Sequence, residues 1–255
     1  MLKLYGLDIR VLQEKELSAY WMHRMPPERL EKIARIKGAQ DRARSLGAGI
    51  LLSYGMQAEG LTVKAANIQY AGHGKPYTVN YPNIQFNLSH ADNYVVAAFA
   101  IKERSQTVEE LEYGELEHEE LEPEGLEDIC MNQIGIDIER IRVYKDSLIH
   151  KCCTSAEEEW LHAQPDRMEA MTRIWTAKES YIKYCGEGLR IPLKDLETDF
   201  GAGLIHDRHE EGVAYLLESQ IENCIIHVCG NVALPQTELQ LLSREELLNN
   251  DILHI

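Results

Sequence analysis

A chain of 255 residues can bury a full core, and its 44% apolar and 7% aromatic content is ordinary for a globular protein. No apolar run approaches the roughly 20 residues of a membrane-spanning helix, and a formal net charge of −16 argues against a nucleic-acid partner, which a surplus of Lys and Arg would serve. The six cysteines form no Cys-x-x-Cys pair, so neither zinc nor disulfides are favoured, and the opening MLKLYGLDIRVL lacks a secretory signal pattern; a cytoplasmic protein with free thiols is expected.

In that opening stretch, Leu2 and Leu4 alternate with Lys3 and Tyr5, which predicts a strand. Pro26 and Pro27 then introduce a helical segment that extends to Gln57, in two pieces around Gly38. NIQFNLSH and YVVAAFA read as strands joined by a short turn at Asp92 and Asn93.

From Glu103 to Asp128 the composition changes. This tract holds eleven Glu and one Asp against one Arg, a local charge of −11 that leaves only −5 for the rest of the chain. Leucines recur every five residues, at Leu111, Leu116, Leu121 and Leu126, a period that lines up neither a helix face nor a strand face. A solvated insertion is the plainer reading, an acidic decoy or docking segment the sharper one. Either way the tract divides the chain into residues 1–101, an acidic insertion at 102–133, and residues 134–255.

Beyond it, IGIDIERI predicts a strand. SAEEEWLHAQ predicts a helix capped by Ser155, and MTRIWTAKESYIKYC a helix closed by Gly186. CIIHVCGNVAL returns as a strand, and SREELLNNDILHI reads as a short helix capped by Ser243 followed by a tail, the whole packing against the body. This irregular alternation of helix and strand predicts an α+β fold.

On the strand IGIDIER, Ile134, Ile136 and Ile138 point one way, while Asp137 and Glu139 share the other face with Cα atoms roughly 7 Å apart. The plainer account is a half-exposed strand with an acidic solvent face. On the helix, Trp175, Glu179 and Lys183 follow one another at i, i+4 spacing with Lys178 beside them, which alone would be an ordinary surface ion pair. Taken together, three carboxylates accompanied by lysines suit a hard divalent ion and a polyphosphate, because Mg²⁺ takes oxygen ligands and ammonium groups neutralise the remaining phosphate charge.

The order GIDIER then WTAKESYIKYCGEGL resembles the signature pair of the Sfp-type 4′-phosphopantetheinyl transferases. PERLEK, DRARSLG, GKPY and NLSHADNYVVAAFA stand upstream in the order that family shows them. The resemblance implies two similar α+β lobes related by a pseudo-two-fold axis, with coenzyme A between them, and a monomer. It also implies transfer of the phosphopantetheine arm of coenzyme A to a serine of an apo acyl or peptidyl carrier protein, releasing adenosine 3′,5′-bisphosphate. Carried over by residue, Asp137, Glu139 and Glu179 would hold Mg²⁺, and Lys178 and Lys183 would meet the pyrophosphate or the arm. Arg44, Lys75, Ser89 and His90 would surround the nucleotide end, assisted by Arg29 and Lys32. Glu179 is the candidate base, directly or through a metal-bound water, with Asp137 and Lys183 completing the catalytic group. Two other classes use the same residues: a Mg²⁺-dependent nucleotide pyrophosphate hydrolase, and a coenzyme A or carrier-protein binding protein without turnover. The acidic tract lies where that family has a short turn, so it is expected to bear on carrier docking before it bears on chemistry.

Overall fold

The computed structural model describes residues 1–71, 74–102, 133–188 and 190–249. The acidic tract, and the expectations attached to it, lie outside these.

The N-terminal strand β1 (Leu2–Asp8) leads through a 3₁₀ turn into helices α1 (Lys15–Met22), α2 (Pro27–Arg35) and α3 (Ala39–Gln57). Helix α2 starts on Pro27 at its first position, and the chain is extended at Ile36 and Gly38, so the expected break at Gly38 separates α2 from α3. A one-turn helix, α4 (Val63–Ala66), and a two-stranded hairpin, β2 (Ile68–Tyr70) and β3 (Pro76–Thr78), precede the long strands β4 (Ile84–Ala91) and β5 (Tyr94–Ile101). The first sheet has the order β11-β1-β5-β4, where β11 (Leu239–Leu241) pairs parallel to β1 and the other pairings are antiparallel.

Strand β6 (Ile134–Arg140) begins the second sheet and is followed by α5 (Asp146–Cys152), α6 (Ser155–Ala163) and α7 (Arg167–Cys185). Four further strands, β7 (Leu196–Asp199), β8 (Leu204–Asp207), β9 (Gly212–Ile221) and β10 (Cys224–Gly230), complete an antiparallel sheet of order β6-β10-β9-β8-β7. The cap of α6 is Thr154, not Ser155. Its hydroxyl accepts from the Glu157 backbone N–H while Glu157 reaches back to the Thr154 N–H, forming a capping box. Helix α7 ends, as expected, at Gly186, whose φ of 75° is the left-handed conformation that suits glycine.

The two sheets pack face to face. Leu2, Leu4, Tyr94, Val96 and Ala98 of the first meet Ile134, Ile136, Ile138, Ile226 and Val228 of the second in one buried cluster. On the far side of the first sheet, Tyr5, Leu7, Val95, Ala97 and Phe99 bury against Ile50, Leu51 and Met56 of α3. On the far side of the second, α7 covers β6 and β10. The arrangement is therefore helix, sheet, sheet, helix, with the central strands buried on both faces. This corrects the half-exposed reading of IGIDIER, because the face bearing Asp137 and Glu139 lies under a helix.

The C-terminal segment does not stay with the second sheet. After β10 the chain returns to the first sheet, where β11 pairs with β1 and Leu242 and Leu247 enter the core under α3. Leu247 belongs to α8 (Arg244–Asn249), whose first turn is held by Ser243 and Glu246 bonding each other's backbone N–H groups. No helix among the described residues is long and apolar enough to cross a membrane, and the described cysteines are all unbridged.

Candidate active site

The site forms where the outer strand of one sheet meets the outer strand of the other. Strand β6 is the edge of the second sheet, so part of its backbone lacks a ladder partner. Asn87 on β4 supplies one, accepting from the Ile136 N–H at 3.0 Å. Two residues along the same face of β4, Ser89 donates its hydroxyl to Asp137 Oδ1 at 2.9 Å.

The opposite wall comes from α7. Gly135 leaves the space through which helix and strand approach: a Cβ built there would stand 2.1 Å from the Ser180 carbonyl oxygen and 2.4 Å from the Tyr184 backbone nitrogen. This contact sets Glu179 and Lys183 over Asp137. Lys183 Nζ lies 2.7 Å from Asp137 Oδ1 and 2.7 Å from Ser89 Oγ. Leu88, Ser89, His90, Asp137, Glu139, Trp175, Glu179 and Lys183 surround a cavity of about 520 Å³.

The electrostatics follow from three carboxylates around one ammonium. Asp137 is 7% exposed and paired with Lys183, and Glu139 pairs with Arg142 at 3.3 Å on the surface. Glu179 has no ion-pair partner among the described residues. Burial, then the charge of Asp137, push its carboxyl above the usual range; Lys183 offsets part of this and Glu139 adds to it. At the cavity rim, desolvation and then the Arg44 guanidinium hold the His90 imidazole below its usual range. A carboxylate raised by like charges is a place where a cation would be welcome. Among the described residues no three acidic, imidazole or thiol groups form a ready-made cage. Mg²⁺ commonly uses one or two carboxylates and completes its shell with water and phosphate oxygen, so this donor set fits an ion that arrives with a phosphate ligand.

Six expected residues, Asp137, Glu139, Glu179, Lys183, Ser89 and His90, share this cavity. Others lie elsewhere. Arg44 projects from α3 to clamp the turn beyond His90, donating to the Asp92 carbonyl from Nε at 3.0 Å and Nη2 at 2.7 Å and to Asp41 from Nη1 at 2.9 Å. Asp92 has a φ of 47°, uncommon for a residue with a side chain, and the clamp helps to hold it there. Arg29 and Lys32 line a separate cavity of about 950 Å³ with Arg24, Lys64 and Tyr70. Lys75 donates to the Tyr184 carbonyl at 2.5 Å beside the end of α7, in a third cavity of about 350 Å³, where burial lowers its amine to about 8.

Lys178 is the clear misassignment. It is 1% exposed and turned into the interior, where Nζ donates to the Cys152 carbonyl at 2.6 Å, the Leu193 carbonyl at 2.9 Å and Glu157 Oε2 at 2.5 Å. Glu157 in turn accepts from Thr198 through both backbone and hydroxyl. Lys178 therefore ties α5, α6 and α7 together and is buried away from this cavity. Asn87 and Gly135 escaped the sequence reading. Asn87 carries a signal, since it lies two residues before Ser89 and so on the same face of the strand, whereas the role of Gly135 depends on a helix far along the chain.

Two family models match this chain. One described as the 4′-phosphopantetheinyl transferase superfamily covers residues 133–229, and one described as 4′-phosphopantetheinyl transferase, N-terminal, covers residues 13–102. The chain is similar to a 4′-phosphopantetheinyl transferase of Bacillus subtilis, at 27% identity over 88% of this chain and 85% of that protein. It is also similar to the human L-aminoadipate-semialdehyde dehydrogenase-phosphopantetheinyl transferase, at 29% identity over 68% of this chain and 52% of that one. Among solved structures, Thermotoga maritima holo-[acyl-carrier-protein] synthase shows a slight likeness, with a TM-score of 0.36 and 17% identity over 41% of this chain and 66% of that chain.

Proposed function

We propose that this chain, which belongs to the 4′-phosphopantetheinyl transferase superfamily, moves the phosphopantetheine arm of coenzyme A onto a serine of an apo acyl or peptidyl carrier protein. The observation that carries the reading is the convergence of Asp137, Glu139, Glu179 and Lys183 with Ser89 and His90 in one cavity at the junction of the two sheets. A repeated plan supports two similar lobes with coenzyme A between them. In each half a first strand (β1 or β6) is followed by helices and then a hairpin (β4–β5 or β9–β10), and the last strand of that hairpin pairs with the first strand.

In the reaction the carrier serine oxygen attacks the β-phosphorus of coenzyme A. A new P–O bond forms to serine, the bond to the bridging oxygen breaks, and adenosine 3′,5′-bisphosphate leaves with that oxygen. Glu179, which lines this cavity beside Asp137 and Lys183, is the acceptor of the serine proton. Lys183, at the cavity mouth, places its ammonium on the diphosphate oxygens where charge accumulates. Ser89 holds the Asp137 carboxylate in orientation. Carboxylates drawn from Asp137, Glu139 and Glu179, one or two at a time, would hold Mg²⁺, which when bound supplies charge neutralisation at the diphosphate. His90 stands at the rim of the cavity, where its imidazole can hydrogen-bond the nucleotide end.

Incubating a panel of apo carrier proteins with this protein, coenzyme A and Mg²⁺, followed by intact-protein mass spectrometry, tests the proposal. The expected result is a phosphopantetheine mass gain that a chelator abolishes. Absence of a gain on every carrier, or cleavage of coenzyme A without a modified carrier, would overturn it.

A further inference from the structure

Resting on that reading, we infer that Lys183 is an exchangeable counter-ion. In the ligand-free protein its ammonium occupies Asp137, and it is released to the diphosphate only when metal and coenzyme A enter together. Lys183 Nζ, Ser89 Oγ and Asp137 Oδ1 form a closed triangle with sides of 2.7, 2.7 and 2.9 Å. The ammonium thus donates to the same carboxylate oxygen that accepts from Ser89, and to the serine hydroxyl itself. A divalent ion that takes Asp137 as a ligand must displace it.

Charge accounting favours the exchange. Three carboxylates face two nearby cations, Lys183 on Asp137 and Arg142 on Glu139, while Glu179 has neither. A bare divalent ion entering here would leave Lys183 beside a newly cationic centre with no anion to meet. An ion that arrives with a diphosphate brings the acceptor Lys183 needs. The consequence is reciprocal coupling: coenzyme A tightens metal binding and metal tightens coenzyme A binding by the same factor. The side chain of Lys183 is 29% exposed, and this leaves it free to swing from one anion to the other.

The test is titration of the full chain with Mn²⁺, read from the free-ion electron paramagnetic resonance signal, with and without saturating coenzyme A and corrected for Mn²⁺ bound by coenzyme A in solution. Lys183→Met is expected to bind bare Mn²⁺ about tenfold more tightly than the unsubstituted protein, and to lose that advantage when coenzyme A is present. Lys183→Gln, which removes the charge but keeps a hydrogen-bond donor beside Asp137, is expected to shift bare-ion affinity in the same direction by less, and gives the readout if Lys183→Met fails to fold. Tighter binding by the same factor with and without coenzyme A would mean simple charge repulsion and would overturn the exchange, as would unchanged bare-ion affinity in both variants; in either case the transferase reading stands. No Mn²⁺ binding by any form under any condition would overturn the metal site, and the exchange with it.

Discussion

Glu179 carries a cost that the fold tolerates for the sake of the site. Its carboxyl is raised in the folded protein by burial and by Asp137, so the native state holds that proton more readily than the unfolded chain. Ionised Glu179 therefore weakens the fold at every pH above its raised value, and the penalty disappears as pH falls below the ordinary carboxylate range. Glu179→Gln is expected to cut kcat by about 100-fold or more, yet to raise the melting temperature of the ligand-free protein at neutral pH. That gain should fade on acidification, and equal melting of both forms across the pH range would refute the assignment of cause. Lys178 predicts the reverse pairing of effects. Its loss strands Glu157 as a buried charge, so Lys178→Met should cost about 3–5 kcal/mol in urea denaturation; unchanged stability with a raised KM for coenzyme A would restore it as a ligand. The sequence could not separate these neighbours. Residues 178 and 179 stand about 100° apart around α7, and with strands on one side and α5 and α6 on another, a lysine facing inward looks in sequence like a lysine facing a ligand.

Between elements, the decisive relation is α7 resting on β6. Gly135→Ala would drive a methyl group into the Ser180 carbonyl and the Tyr184 backbone, neither of which can yield as a flexible side chain would. A loss of about 1–3 kcal/mol should accompany a fall in kcat, because the helix that retreats carries Glu179 and Lys183; wild-type stability and turnover would show that the approach is not required. Much of this was legible in the amino-acid pattern. The paired acids of IGIDIER do share a face, Trp175, Glu179 and Lys183 do line one stripe, and Gly186 does end the helix. Less was legible where two local solutions compete. Thr154 and Ser155 each have a glutamate three residues on, and the structure selects Thr154 because its partner, Glu157, is the acid that must also reach Lys178. Strands β7 to β9 passed unread, since two of them are four residues long and β9 carries apolar residues in both phases, from Ala214 and Leu216 to Val213 and Leu217.

At the scale of the molecule, the segment after β10 binds the chain into one body. A protein ending before Leu239 would lose β11 and would remove Leu242 and Leu247 from the core beneath α3. It should melt at lower temperature and lose transfer activity although no site residue is touched, and an unchanged melting curve would mean that this segment only decorates the surface. Its pairing was beyond sequence reasoning, because a three-residue strand gives almost no periodic signal and its partner β1 lies nearly the whole chain away. The same topology bears on how the protein is made. The β7–β10 meander closes through local hairpins and can form early, whereas the first sheet is completed only after every other strand has emerged. Until then the outer edge of β1 is an open row of backbone donors and acceptors, a template on which two nascent copies can pair. β11, the last strand to emerge and only three residues long, replaces that open edge with one too short to offer a second chain much to pair with.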